Sequence, residues 1–406
     1  MSCWLGMKGW AVSEGKKLVP KLRFPEFRDA ENWALEELGD YLDYVQPTPY
    51  LVRNTAYDDK YKIPVVTAGK TFVLGHTNET EGVFEDALPV IIFDDFTTAS
   101  QFVDFKFKAK SSAMKILLAK ENANIRFMYE AIQQIDYEVG AHGRHWISSY
   151  SKIKIPVPDP IEQQKIADCL SSVDELIAAQ ARKVDAIKTH KKGLMQQLFQ
   201  NEGETLPRLR FPEFRDSPKW ADERLGKHVA IRSGNSPSTF VLSSSGIYPY
   251  VKVEDLNNCT KYQTTGREYC NDSEGVVPKH SLVFPKRGAA IELNKIRITE
   301  SQIQIDTNLM AITPKEGLAT EFLFYYISNF GLAHIADTST IPQINNKHIV
   351  PFVVRRPSVA EQQRIAEFLS SLDAQIAAET DKLDSLKTYK KGLMQQLFPS
   401  PENVAA

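Results

Sequence analysis

The chain is 406 residues long, 42% apolar and 25% charged, with a formal net charge of −2. That length predicts at least two domains with buried cores, and the near-neutral balance gives no bulk sign of a polyanionic or anionic-membrane partner. No apolar run approaches the roughly 18 residues that cross a bilayer, so no membrane association is expected. The opening residues lack the basic stretch and apolar core of a secretory signal. Cys3, Cys169, Cys259 and Cys270 show no C-x-x-C or zinc spacing. A reduced, cytoplasmic protein is expected.

In chain order, the first landmark is "LRFPEFRD" at 22–29, closing an N-terminal segment over 1–29. A variable region follows over 30–158. Its strand candidates are "KIPVVTA" (62–68), "LPVIIF" (88–93) and "FVDFKFKA" (102–109), and "NIRFMYEAIQQI" (124–135) reads as a helix. Alternation in 102–109 would set Lys106, Lys108 and Lys110 on one face of a single strand and Phe105 and Phe107 on the other. Lys115 adds to this basic group. "FDDF" (93–96) invites a Mg²⁺ carboxylate pair, but adjacent aspartates at a strand end point to opposite faces, which favours a structural role. "HGRH" (142–145) has no carboxylate or cysteine cluster nearby to complete a metal site.

A long helix is expected over 159–200. The linker at 201–220 repeats "LRFPEFRD" at 209–216, an offset of 187, and Trp33, Leu38 and Gly39 return as Trp220, Leu225 and Gly226. The second variable region, 221–357, offers strands at "YPYVKV" (248–253), "HSLVFP" (280–285) and "QIQI" (302–305) and a helix at "TEFLFYYISNF" (320–330). Basic residues surround its "RGAAIELN". A second long helix is expected over 358–399, with a tail at 400–406. Segments 161–199 and 360–398 align without gaps with 25 of 39 positions identical, ending in "KTHKKGLMQQLF" and "KTYKKGLMQQLF". A period this long with two copies is a duplicated module rather than a solenoid.

Both helices carry a heptad seam. The first copy is Leu170, Val173, Ile177, Gln180, Val184, Ile187, Lys191, Leu194 and Leu198. The second is Leu369, Leu372, Ile376, Glu379, Leu383, Leu386, Lys390, Leu393 and Leu397. A parallel pair in matched register would oppose Lys191 to Lys390. An antiparallel pair whose numbers sum to 570 instead sets Lys191 against Glu379, Gln180 against Lys390, and apolar layers against apolar layers. The expected fold is therefore α+β: two mixed α/β domains in a pseudo-twofold arrangement, separated by two long helices forming an antiparallel coiled coil. An amphipathic helix lying on a globular core is the plainer alternative. Gly193 and Gly392 lie outside the seam, where a bare backbone would let a partner's helix approach; a tolerated glycine is the simpler reading.

Enzyme signatures are missing: no G-x-x-x-x-G-K-[ST] and no H-E-x-x-H. Asn, Gln, Thr and Ser in "TTASQ" (97–101) and "PQINNKH" (342–348) are side chains of the kind that read base edges.

The duplicated plan resembles the DNA-specificity subunit (HsdS) of type I restriction–modification systems. The resemblance rests on "LRFPEF…W…LG" in both halves, on "PVPDPIEQQKIADCLSSVD" and "RRPSVAEQQRIAEFLSSLD" entering the helices, and on "KKGLMQQLF" closing them. "IRSGNSPST" (231–239), "LVFPKRGAA" and "DTNLMAITP" (306–314) also resemble the family, whereas the first variable region departs from those strings. The resemblance implies that each variable region is a target-recognition domain reading half of a gapped site in double-stranded DNA, with the helices setting the spacing. It also implies docking of two methylation subunits (HsdM), which bind S-adenosylmethionine, and of restriction subunits (HsdR) that use ATP and Mg²⁺. This chain would then be non-catalytic, with no cofactor of its own. Candidate DNA contacts are Lys70, Thr98, Gln101, Lys106, Lys108 and Arg144 in the first domain. In the second they are Arg232, Lys286, Arg287, Gln343, Asn345 and Lys347. Gly193 and Gly392 become candidate partner contacts. The alternative is a coiled-coil scaffold that binds no DNA.

Overall fold

The computed structural model describes residues 18–69, 71–139, 144–200, 203–337 and 341–399. The chain divides into two units, Met1–Gln180 with Lys382–Ala406, and Ala181–Asp381. Both divisions fall inside long helices, so each unit owns one half of each helix.

The first unit begins with β1 (Ala34–Glu37), α1 (Leu38–Tyr41) and β2 (Leu42–Val45). Strands β3 (Ile63–Val66), β4 (Val73–Thr77), β5 (Val90–Asp94), β6 (Ser100–Val103), β7 (Lys108–Ala109) and β8 (Met114–Ala119) follow. Then come α2 (Ile125–Ile132), α3 (His145–Ser148), β9 (Lys154–Val157) and the long α4 (Pro160–Leu198). The main sheet runs β2-β8-β5-β6, a smaller one runs β4-β3-β7, and β1 pairs with β9. Ile91, Phe93 and Leu117 face a core shared with the helices. Val90, Ile92 and Ile116 face a second core. A strand buried on both faces reads as a continuous apolar run, which is why "VIIF" shows no alternation.

The second unit repeats this order. It contains β10 (Ala221–Arg224), α5 (Leu225–His228), β11 (Val229–Ser233), β12 (Tyr248–Val251), β13 (Tyr262–Gln263) and β14 (Glu268–Cys270). It continues through β15 (Leu282–Pro285), α6 (Ala289–Glu292), β16 (Arg297–Thr299), β17 (Gln304–Ile305), β18 (Leu309–Pro314) and α7 (Thr320–Phe330). It closes with α8 (Asn346–Ile349), β19 (Val353–Arg356) and the long α9 (Val359–Leu397). The sheets are β11-β18-β15-β16-β13, β14-β12-β17 and β10-β19, the counterparts of those in the first unit with β13 added.

One sequence expectation fails here. Residues 102–109 are not a single strand: β6 pairs with β5 in the main sheet, while β7 pairs with β3 in the smaller one. The chain crosses between sheets at 104–107, so the lysines do not form one stripe.

The helices pair antiparallel within each unit. In the first, Val173 and Ile177 share a core with Leu393 and Leu397. In the second, Leu194 and Leu198 share one with Leu369 and Leu372. The polar partners differ from those expected. Lys390 bonds Asp174 at 2.8 Å and Glu130 at 3.1 Å rather than Gln180, and Arg126 of α2 completes the cluster. Lys191 pairs with Asp373 rather than Glu379 and lies 4.9 Å from the centre of the Tyr325 ring. Glu379 takes Lys183. A long lysine side chain leaves the seam to reach an acid on its flank, and domain residues such as Glu130 and Tyr325 join it. A heptad reading confined to two helices cannot see that third element. Burial raises the Tyr325 hydroxyl above its ordinary range, and its hydrogen bond to Asp373 adds to the effect. Burial also lowers the neighbouring Lys261 ammonium.

The repeated motifs find their purpose in these cores. Arg23 grips Glu162 through two bonds of 2.8 and 2.7 Å, and Arg210 grips Glu361 through two of 2.8 Å. Both pairs are buried, and each arginine also donates to carbonyls of its own loop. The next glutamine in each "EQQ", Gln163 or Gln362, accepts from Asn124 or Ala319 at the start of α2 or α7. So "LRFPEF" and "EQQ" pin each domain to its helix. The closing dodecamer ends in core residues. Phe199 lies 5.8 Å from Phe322 and 5.7 Å from Tyr326, while Phe398 lies 6.1 Å from Trp33 and 5.3 Å from Phe127. The sequence is written twice because each core needs one copy.

Candidate nucleic-acid interface

The two units build the same loop junction from different residues. In the first, the Asp94 carboxylate accepts from the N–H groups of Phe96 and Thr97 at 2.9 and 2.8 Å, closing the turn from β5 to β6. Thr98 sits there at φ +59° with its N–H on the Asp94 carbonyl. Asp95 points the other way and is buried. Its carboxylate accepts from Trp146 N–H at 2.8 Å and lies 3.6 Å from Lys115, and its carbonyl accepts from His145 N–H at 2.9 Å. These bonds staple the start of α3 beside the turn, leaving Phe96 43% exposed and Arg144 exposed.

In the second unit the connection from β15 to β16 is longer and carries α6. The Lys286 carbonyl accepts from Ile344 N–H at 2.9 Å, and Gly288 N–H donates to the Pro342 carbonyl at 2.9 Å. Arg287 and Gln343 are bridge partners between these segments. Gly288 has φ +77°, a conformation that suits glycine. The bond from Ile344 to Lys286 therefore matches that from His145 to Asp95. It follows that Arg287 occupies the place of Phe96, and Gln343 that of Arg144.

The candidate contacts divide on this geometry. Lys70 lies outside the described residues. Thr98 and Gln101 are half-buried, at the turn and on β6. Lys106 is exposed but 3.8 Å from Glu85. Lys108 is a correction: only 2% exposed, it pairs with Glu79 at 3.0 Å and donates to the Glu81 carbonyl. Its counterpart in strand register is Gln304, also buried, which donates to the Asp272 and Glu274 carbonyls. Both side chains hold the loop after the edge strand, β4 or β14, so Lys108 is a structural residue. Arg232 is exposed on β11, opposite Ala311. Lys286 and Gln343 are half-buried, and Arg287 and Lys347 exposed. Asn345 is half-buried at the start of α8, with its N–H on His348 Nδ1 at 3.2 Å. Among the described residues, no carboxylate pairs with Arg144, Arg232, Lys286, Arg287 or Lys347.

Residue-type reasoning passes over Phe96, because a phenylalanine carries neither a charge nor an amide to mark it as a DNA contact. The only available signal is that "FDDF" places it beyond two aspartates that turn the chain. Among the described residues, no cluster of His, Cys, Asp or Glu could hold a metal ion, and no helix is long and apolar enough to cross a membrane. At Gly193 and Gly392 an added Cβ would meet nothing within 4 Å, so packing within the chain does not require either glycine.

The molecule is thus a duplicated α+β protein whose domains are pinned to two antiparallel long helices. A family model described as the type I restriction modification DNA specificity domain matches twice, over residues 30–189 and 218–388. Over 404 residues the chain is 30% identical to the EcoR124I/EcoR124II type I restriction enzyme specificity subunit of Escherichia coli, covering 91% of this chain and 95% of that one. It is 25% identical over 255 residues to the putative MjaX specificity subunit of Methanocaldococcus jannaschii, covering 61% and 58%. The crystal structure of a type I restriction–modification S subunit from M. genitalium shares the fold at a TM-score of 0.60 and 16% identity, covering 94% of this chain and 100% of that one. A chain from a structural study of assembly and conformational transition in the type I system does so at 0.56 and 16%, covering 91% and 98%. The chain belongs to the type I restriction–modification DNA-specificity family.

Proposed function

We propose that each domain reads one half of a bipartite, gapped site in double-stranded DNA and that the helices set the gap. The observation that carries this reading is the repeated loop junction, present once in each unit, whose exposed arginines pair with no carboxylate among the described residues. A guanidinium without an internal partner is available for phosphate or base. Each helix of 39 residues is about 58 Å long, against about 34 Å for a turn of DNA. The same rods serve as the docking surface for two methylation subunits, with Gly193 and Gly392 at the closest approach. S-adenosylmethionine belongs to those subunits, and ATP and Mg²⁺ to the restriction subunits. This chain contributes recognition and no catalysis.

Native mass spectrometry of the chain with its methylation subunit, followed by selection from a random duplex library, tests the proposal. Two partner copies per chain are expected, and retained duplexes should share two short blocks at one constant separation. Assembly without any duplex selection would favour a scaffold that binds no DNA.

A further inference from the structure

We infer that, in each domain, one pair of equivalent positions reads bases: Phe96 with Arg144 in the first, Arg287 with Gln343 in the second. This rests on the reading that the domains bind DNA, and it adds which residues specify and which bases they take.

Three observations single these positions out. Each pair lies where two chain segments distant in sequence are held together by an equivalent backbone bond, His145 N–H to Asp95 or Ile344 N–H to Lys286, both 2.9 Å. A staple of main-chain atoms, flanked by buried groups such as Asp95, keeps its shape whatever side chains sit beside it. Those side chains can therefore differ between the two units without refolding the loops. Next, the four residues are exposed or half-buried, and neither arginine pairs with a carboxylate among the described residues. Finally, their chemistries differ in the way base edges differ. Arginine bonds O6 and N7 of guanine, glutamine bonds N6 and N7 of adenine, and an apolar ring meets the thymine methyl.

The neighbouring basic groups are of another kind. Lys286 and Lys347 present point charges without a fork, suited to phosphate rather than to a base edge. Phe96 is the informative member of the set, since an exposed phenylalanine on a capped turn has no role in either core. The first half-site should then contain a thymine read by Phe96 and a guanine read by Arg144. The second should contain a guanine read by Arg287 and an adenine read by Gln343.

The test is sequencing of N6-methyladenine in cells carrying the full chain and its methylation subunit, for wild type and for Phe96→Ala, Arg144→Gln, Arg287→Gln, Gln343→Ala and Lys347→Ala. The wild type must first give one two-part motif; failure at that step strikes the proposed function and not this inference. Given the motif, each of the first four variants should relax one base position in its own half. Discrimination there should fall by about 5- to 150-fold, with the gap and the other half unchanged. Guanine should relax toward adenine for the arginine variants, which carry glutamine, while adenine relaxes for Gln343→Ala and thymine for Phe96→Ala. Lys347→Ala should lower methylation evenly at all sites. Variants that co-purify normally with the partner yet keep every base position, relax a different base, or lose methylation evenly would overturn the assignment.

Discussion

Phe398 belongs by sequence to the end of the second long helix, yet its ring is buried on Trp33 and Phe127 in the core of the first unit. Truncation to alanine removes a fully enclosed ring and leaves a cavity, a change that costs about 3–5 kcal/mol. Two aromatic contacts are lost with it, each worth about 0.5–1.5 kcal/mol beyond burial. Phe398→Ala should therefore weaken the first unit by about 3–5 kcal/mol and leave the second intact. Hydrogen exchange resolved by peptide reads the two units separately, which matters because a chain of two units need not unfold in one step. Slow amides of α2 and β5 should exchange about 140- to 3700-fold faster, taking tenfold per 1.4 kcal/mol. Those of α7 and β18 should not change. Phe199→Ala should give the mirror image. If Phe398→Ala left α2 protected and loosened α7, the packing described for the repeated dodecamer would be wrong.

Other consequences can be measured in the same way. Arg210→Met strands the buried Glu361 carboxylate and should cost the second unit about 3–5 kcal/mol, with Arg210→Met/Glu361→Leu recovering much of it; no recovery would count against the ion pair. Lys108→Met should weaken the first unit by about 1–3 kcal/mol while DNA affinity per folded molecule stays constant, and a specific affinity loss would restore Lys108 as a contact. Lys191→Glu should destabilise the helix pair, and Asp373→Lys should partly rescue it; a double-mutant cycle without coupling would refute that partner. Glu321 is half-buried, and burial alone would raise its carboxyl. The Tyr262 hydroxyl and Lys261 outweigh that and hold it below the usual range. A depressed folded value stabilises above the unfolded value of about 4.3 and is lost as pH falls through the folded one. Acid unfolding of the second unit, followed by Trp220 fluorescence, should thus be shallower in Glu321→Gln, and an unchanged acid limb would contradict the pairing.

The architecture was legible where a pattern repeats. Two gapless helices with a shared heptad announce their antiparallel pairing through Lys191 and Lys390, and α7 falls where "TEFLFYYISNF" was read. The partners of those lysines were not legible: Asp174 and Asp373 sit one position past the seam residues Val173 and Leu372, where a register of seam positions does not count them, and Glu130 and Tyr325 come from domain helices that no heptad register includes. The lysine stripe at 106–110 misled for a similar reason. Alternation predicts a face only while a strand stays in one sheet, and the chain changes sheets between Val103 and Lys108. Arg144 and Gln343, chosen for residue type alone, prove to be structural equivalents. Nothing in the sequence links either one to Phe96 or Arg287, since the link is a backbone bond between segments far apart in the chain, Asp95 to His145 and Lys286 to Ile344.

Selection of a two-part DNA site by this chain is tested most directly by a map of N6-methyladenine in the host genome, with and without the gene. The account predicts that deletion removes methylation from a single motif made of two short blocks and one fixed gap, and that restoring the gene returns it. An unchanged map in cells where the partner methylation subunit is present and active would contradict the claim.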